Sequence, residues 1–140
     1  MTTPSYTDYG TVTAGGSASA MVDACYYTPS PGAGYCAMWV TNVAVNAGIG
    51  YYGGNACDMY ANWCYSTDRG YLQPGMIIAV STHSHTSAGR IYGHVGIYIG
   101  DGLIMENVGY INTQSVDSWI EYYGTTVAVR WGWLGGVALY

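Results

Sequence analysis

The sequence predicts an α+β fold, with helices in the N-terminal half and an antiparallel sheet in the C-terminal half. Apolar residues recur at helical spacing in segments up to residue 63, whereas short apolar or alternating runs follow from residue 76. Helices followed by strands are typical of an α+β domain and not of an alternating α/β domain. The 140 residues are enough for one domain with a buried core.

The N-terminal half is predicted to hold a leader and three helices. Residues 1–16 show no clear period, so we expect a leader or linker before a single domain at 17–140. The first helix starts at Ser17, because the apolar residues that follow it have helical spacing. Residues 28–34 are too rich in Pro and Gly to be helical, so a second helix starts at Tyr35 or Cys36. A third, shorter helix is predicted over 56–63.

The C-terminal half is predicted to form the sheet. A turn at 73–75 leads into a first strand over 76–80, and a polar loop follows at 81–91. Gly100-Asp101-Gly102 is typical of a hairpin turn between two further strands. The remaining predicted elements are strands over 94–99, 103–108 and 125–131 and an amphipathic helix over 115–123.

Composition excludes several classes of partner. Charged residues are 8% of the chain, the net charge is −5, and the only cationic side chains are Arg69, Arg90 and Arg130. Without a basic stripe we expect no nucleic-acid partner. No window approaches the run of about 18 apolar residues that crosses a membrane, so we expect no membrane insertion. We also expect a monomer. No signal peptide is visible, and four cysteines favour an oxidising compartment, so we expect the mature part of an extracellular or cell-wall-associated protein.

Cys36 is the candidate nucleophile. The Pro- and Gly-rich loop delivers it to the first turn of a helix, where free N–H groups and the positive end of the helix dipole collect. These groups stabilise a thiolate, and they can also hold the oxyanion that forms when a carbonyl is attacked. The alternative is that Cys36 is a small buried residue or half of a disulfide.

His94 is the candidate general base. On the strand alternation it faces away from Val95 and Ile97 and lies beside the small Gly96, which leaves room for a helix end that carries Cys36. The alternative is a surface or structural histidine. A third polar group should orient the imidazole, and the register of the hairpin decides which one it is. A three-residue turn brings Glu106 to the His94 face, whereas a two-residue turn brings Asn107 there.

These segments resemble the CHAP family (cysteine, histidine-dependent amidohydrolase/peptidase) and its NlpC-type relatives, which are bacterial cell-wall hydrolases with a papain-like core. The matching segments occur in family order, and the one around His94 is the most specific. They are Gly34-Tyr35-Cys36-Ala37-Met38-Trp39-Val40, Gly54-Asn55-Ala56, Pro74-Gly75-Met76-Ile77-Ile78-Ala79 and Gly93-His94-Val95-Gly96-Ile97-Tyr98-Ile99-Gly100-Asp101-Gly102.

The resemblance implies a role for each matched residue. Cys36 is the implied nucleophile, His94 the base, and Glu106, with Asn107 next to it, the third polar member. We expect Tyr35 and Trp39 at the oxyanion hole or the substrate cleft. CHAP enzymes often carry Gln at the position of Tyr35, and the family's Gly-Asp turn is Gly75-Met76 in this chain.

The function implied by the resemblance is thiol-dependent hydrolysis of peptide or amide bonds in peptidoglycan, without a metal or other cofactor. One alternative is a non-catalytic wall- or glycan-binding module on the same scaffold, in which Trp131 and Trp133, with the many tyrosines, stack on sugars. Another is a small secreted domain whose cysteines are all bridged. His83 and His85 lack the further ligands that a zinc site requires, so a polar loop near the cleft is expected there.

The pairing of the other cysteines stays open. On a continuous helix the Cα atoms of Cys57 and Cys64 would lie about 10 Å apart, which is too far for a disulfide. Either the helix ends before Cys64, or Cys25 pairs with one of the two. Cys36 is expected to stay unpaired.

Overall fold

A computed structural model of the protein describes residues 17–140; the predicted leader at 1–16 lies outside the described residues. The helices are α1 (Ser17–Tyr27), α2 (Cys36–Asn46), α3 (Ala56–Trp63), α4 (Ser87–Tyr92) and α5 (Val116–Tyr123), with short 3-10 turns at Arg69–Tyr71 and Leu134–Gly136. The strands are β1 (Ile77–Val80), β2 (His94–Gly100), β3 (Leu103–Asn107), β4 (Ile111–Ser115) and β5 (Arg130–Gly132).

The five strands form one antiparallel sheet in the order β4-β3-β2-β1-β5, which confirms the predicted α+β class. Both faces of this sheet are covered. On one face α1, α2 and α3 bury Val95, Ile97 and other aliphatic residues of the strands. On the other face Trp119 and Tyr123 of α5 pack against a second set of strand side chains. The sheet therefore separates the helix that starts at Cys36 from α5.

The hairpin between β2 and β3 combines the two turn geometries considered above. Its loop is the two-residue turn Asp101-Gly102, with positive φ angles of 54° and 74°. The register then shifts between Tyr98 and Gly100, so that Gly96 pairs with Glu106. A β-bulge adds one residue to one strand, which compensates for the shorter turn. Glu106 is consequently the residue on the His94 face.

Three elements differ from the sequence prediction. The loop predicted over 81–91 contains α4, which is too short to show an apolar period and is capped by the Thr86 hydroxyl accepting from Gly89 N–H. The strand β4 was not predicted, because its residues are mostly polar and it lies at the sheet edge. The last strand is limited to β5, which is shorter than the predicted 125–131.

The four cysteines are all unpaired thiols. Helix α3 ends at Trp63, so it stops before Cys64, which is the condition given above for a Cys57–Cys64 disulfide. Cys64 nevertheless forms no bridge with Cys57 or Cys25. Cys25 and Cys64 are buried in the core on the face of the sheet that α1, α2 and α3 cover.

Within residues 17–140, no helix combines the length and the apolar character needed to span a bilayer.

Candidate active site

Cys36 is the first residue of α2, at the end of the Pro- and Gly-rich loop. The preceding residue, Tyr35, makes no capping hydrogen bond through its side chain, so it does not occupy the N–H groups of the first helical turn. Gly34 has a φ of +84°, a backbone angle that favours glycine. This glycine turns the loop into the helix, and the Cys36 side chain is half-buried at its tip.

His94 is the first residue of β2, and its imidazole lies close enough to the Cys36 thiol for the two groups to shift each other's pKa. The backbone at Ala37 and at Val95 also interacts with the sulfur and favours its ionised form. The helix α2 packs on the opposite face of the sheet from His94, contrary to the expectation that the helix end would lie over Gly96. The thiol and the imidazole meet because both begin their elements at the same end of the sheet.

Glu106 holds the Nε2 atom of the His94 ring. Its Oε1 lies 2.8 Å from His94 Nε2 and accepts a hydrogen bond of 2.9 Å from Trp119 Nε1. Its Oε2 accepts from Asn112 Nδ2 at 2.8 Å and from Gln114 Nε2 at 2.6 Å. The carboxylate has no solvent-exposed surface, and four donors surround it. A buried carboxylate with this many donors stays ionised and fixed in orientation.

The three groups influence one another's ionisation. Burial opposes the charge on Cys36, but hydrogen bonding to His94 and its positive charge outweigh burial and lower the pKa of the thiol. Burial likewise opposes the charge on His94, yet Cys36 and Glu106 raise the pKa of the imidazole to about 9. For Glu106, burial is outweighed chiefly by His94, so the pKa of the carboxyl is lowered. All three shifts act in the same sense, since each favours the charged form of its group: the thiolate, the imidazolium and the carboxylate.

Asn107 lies on the other side of β3 from Glu106 and does not contact His94. Its Oδ1 accepts from Ser30 Oγ at 2.6 Å and from Gly109 N–H at 3.1 Å, and its Nδ2 donates to Gly32 O at 2.9 Å. These contacts tie the loop before Cys36 to the end of β3. The position of Asn107 therefore suits support of the nucleophile loop and not orientation of the imidazole.

Tyr35 and Trp39, both expected at the cleft, have opposite environments. The side chain of Tyr35 is 52% exposed beside Cys36. Trp39 is fully buried in the core, and its Nε1 donates to Thr28 O at 2.9 Å. The expectation that Trp39 lines the cleft is therefore wrong: one helical turn beyond Cys36 its side chain faces the sheet, where it anchors the nucleophile loop.

The His83–His85 loop packs against this site. His83 is buried, with its ring centroid 6.2 Å from that of His94, and its Nδ1 accepts from His85 N–H. The ring of His85 stacks on Tyr122 at 3.6 Å. Among residues 17–140, no group of three or more His, Cys, Asp or Glu side chains is arranged to hold a metal ion.

The sugar-stacking role considered for Trp131 and Trp133 does not fit the structure. The side chains are 2% and 7% exposed, and both belong to the core on the α5 side of the sheet. Trp131 Nε1 donates to Asp68 O. The glycan-binding alternative thus loses its two tryptophans and keeps only the tyrosines.

Sequence reasoning missed three residues of the site: Trp119, Asn112 and Gln114. Trp119 was assigned only to the apolar side of a helix, although its indole N–H needs an acceptor when buried. Asn112 and Gln114 alternate along β4, so both side chains face Glu106. This polar alternation at 112 and 114 was the one signal that could have revealed them.

Comparison with known proteins supports the fold. By sequence, no protein family and no curated protein matches the chain. Among solved structures, NlpC1 and NlpC2 from Trichomonas vaginalis are each 17% identical to it, with TM-scores of 0.57 and 0.61. A Staphylococcus aureus protein described as similar to lipoprotein, NLP/P60 family, is 19% identical with a TM-score of 0.61.

These matches extend over most of this chain but over only part of each solved structure. They cover 84%, 92% and 93% of this chain for NlpC1, NlpC2 and the S. aureus protein, respectively. The chain spans 44%, 50% and 44% of those three structures. The chain therefore has the papain-like α+β fold of the NlpC/P60 proteins.

Proposed function

We propose that this chain is a cysteine hydrolase that cleaves peptide or amide bonds of bacterial peptidoglycan, outside the cytoplasm. One observation carries the proposal: Cys36 begins a helix that has no side-chain cap from Tyr35, its thiol interacts with His94, and Nε2 of His94 is held by the buried Glu106. The NlpC/P60-like fold and the resemblance to CHAP sequences support peptidoglycan as the substrate.

In the proposed reaction the Cys36 thiolate attacks the carbonyl carbon of the scissile bond. The negative charge that develops on the carbonyl oxygen is stabilised by N–H groups of the first turn of α2. The imidazolium of His94 donates its proton to the leaving nitrogen, the C–N bond breaks, and a thioester remains on Cys36.

Deacylation returns the site to its starting state. Neutral His94 takes a proton from water, the resulting hydroxide attacks the thioester carbonyl, and the carboxylic acid leaves as the C–S bond breaks. Glu106 stays ionised throughout and keeps the ring in one orientation. Tyr35, exposed beside the nucleophile, is available to contact the substrate.

The test is digestion of purified peptidoglycan by the chain, followed by mass spectrometry of the released fragments. Cys36→Ala should abolish fragment release and leave folding intact, because Cys36 is only half-buried and its sulfur is held by polar contacts at a helix tip. The matched control is Cys57→Ala, which removes another half-buried thiol near a helix N-terminus and should retain activity. Fragment release by Cys36→Ala at the wild-type rate would refute the proposal.

A further inference from the structure

The His94 imidazole is enclosed by aromatic rings that the reaction described above does not use. The ring of Tyr123 lies 4.6 Å from that of His94, centroid to centroid, at an interplanar angle of 33°. The indole of Trp119 lies 5.7 Å away at 19°. Both side chains come from α5, on the face of the sheet opposite α2.

Tyr123 is held by its ring and not by its hydroxyl. It is 6% exposed, and its hydroxyl makes no hydrogen bond to any part of the chain between residues 17 and 140. The centroid of its ring lies 4.6 Å from that of Trp119, 4.8 Å from that of Tyr122 and 4.9 Å from that of His83. A buried side chain fixed on several sides by other rings has little freedom to move away from His94.

Close packing also restrains the neighbour His83. A Cβ atom added at Gly89 would lie 2.2 Å from the His83 ring, so the absence of a side chain at Gly89 allows the imidazole to fit there. His83 in turn presses edge-on against Tyr123 at 71°. The enclosure is thus built from α5 and from the loop before α4.

We propose that Tyr123 is a positioning residue for His94, whose aromatic face keeps the imidazole plane in place and stabilises its protonated form. The inference rests on the proposed function, because it assigns Tyr123 to the proton transfers of that reaction. The π face of a phenol attracts a cation. Rotation of the imidazole away from this face would also break its contacts with Cys36 and Glu106.

The charges around His94 are consistent with this role. The titratable groups that face it are Cys36 from α2, Glu106 from β3, His83 from the loop before α4, and Tyr123 itself. Burial, followed by electrostatic interaction with His94 and His85, lowers the pKa of His83 to about 4, so its ring is neutral above about pH 4. Burial also raises the pKa of Tyr123, with Glu106 as the next cause, so the phenol stays neutral.

The experiment is a titration of the His94 imidazole by NMR in isotope-labelled protein, in Tyr123→Phe and Tyr123→Leu variants. Tyr123→Phe keeps the ring and should titrate as the wild type does. Tyr123→Leu should lower the pKa of His94 by about 0.4 to 1.5 pH units, the shift that corresponds to the loss of a cation–π contact. Tyr123→Met, whose longer and more flexible side chain adapts to the vacated space, replaces Tyr123→Leu if that variant does not fold.

Two outcomes would overturn the inference. One is an unchanged His94 titration in the Leu or Met variant, and the other is an equal shift in Tyr123→Phe, which would assign the effect to the hydroxyl. The matched control is Tyr60→Leu, which removes another buried tyrosine, one that packs under Arg130, and should leave the His94 titration unchanged. The titration needs no substrate, so it decides on Tyr123 even if the chain cleaves no peptidoglycan.

Discussion

Replacement of Glu106 by Gln changes one oxygen to an NH₂ group and removes one charge while it keeps the shape of the side chain. In the wild type, each carboxylate oxygen accepts two hydrogen bonds, from His94 and Trp119 on one side and from Asn112 and Gln114 on the other. A glutamine amide has only one acceptor oxygen. Whichever way the amide is turned, its NH₂ group faces two donors and cannot accept from either.

The expected loss in free energy of unfolding follows from the number of donors left without an acceptor and from the burial of Glu106. A charge-assisted hydrogen bond contributes about 1.5–3 kcal/mol, and a buried donor left without an acceptor costs about 1–3 kcal/mol. Glu106 has no exposed surface, so solvent cannot compensate for the lost contacts. We expect Glu106→Gln to lower the free energy of unfolding by about 2–4 kcal/mol.

The difference should depend on pH in a defined direction. The pKa of Glu106 is lowered in the folded chain, so its contribution to stability is present above its ordinary value of 4.5 and is lost as pH falls through the folded value. The pKa of His94 is raised from 6.5 to about 9, so its contribution is complete below pH 6.5 and is lost as pH rises through about 9. The stability difference between wild type and variant is therefore largest between about pH 4.5 and 6.5.

Urea unfolding of both proteins at pH 5.5, 7.5 and 9.5 measures this difference, and NMR titration of His94 should show a lowered pKa in the variant. Glu121→Gln is the matched control, since it removes the same charge from an exposed position on α5 and should not change the unfolding midpoint. Equal unfolding curves for Glu106→Gln and wild type at pH 5.5, with an unchanged His94 titration, would refute the reasoning.

Two further predictions concern the nucleophile and its loop. Burial opposes ionisation of Cys36, but His94 outweighs it and lowers the pKa of the thiol, whereas burial raises the pKa values of Cys25 and Cys64. Iodoacetamide should therefore modify Cys36 at a pH below the ordinary thiol pKa of 9.0 and leave Cys25 and Cys64 unmodified there. Peptide mass analysis checks this, and modification of Cys36 that begins only near pH 9 would contradict it. Asn107→Ala removes the contacts to Ser30, Gly32 and Gly109 and should lower the free energy of unfolding by about 2–4 kcal/mol, measured in urea. The exposed Asn62→Ala on α3 is its control, and an equal loss in both variants would show that the loop contacts are not the cause.

The elements that the sequence predicts correctly are those determined by interactions between residues close together in the chain. The sequence predicts a helix start at Tyr35 or Cys36, and α2 starts at Cys36, because the Pro- and Gly-rich loop and the apolar spacing that follows act within a few residues. The strand β2 was placed because Val95, Ile97 and Ile99 alternate. The edge strand β4 and the short helix α4 have no comparable local signal, and their positions depend on pairing with β3 and on the Thr86 cap.

The choice between Glu106 and Asn107 shows where local reasoning stops. Both turn lengths were compatible with the residues at 100–102, and the observed hairpin uses the shorter turn together with a bulge that restores the other register. A bulge of this kind is stabilised by the packing of both strands in the sheet, which a single hairpin sequence does not reveal. Trp119 and Tyr123 belong to α5, which follows His94 and Glu106 in the chain and packs across the sheet. Their contacts with Glu106 and His94 therefore also depend on tertiary packing.

By itself the sequence determined the α+β order, the placement of Cys36 at a helix start and the placement of His94 on a strand, because helical and strand periodicity and Pro–Gly breaks are local properties. Only the tertiary structure decided which carboxylate or amide faces His94, that Trp39 is core, and that two aromatic rings cover the imidazole. These features arise from contacts between residues far apart in the chain, and their side chains are selected by close packing on the two faces of one sheet.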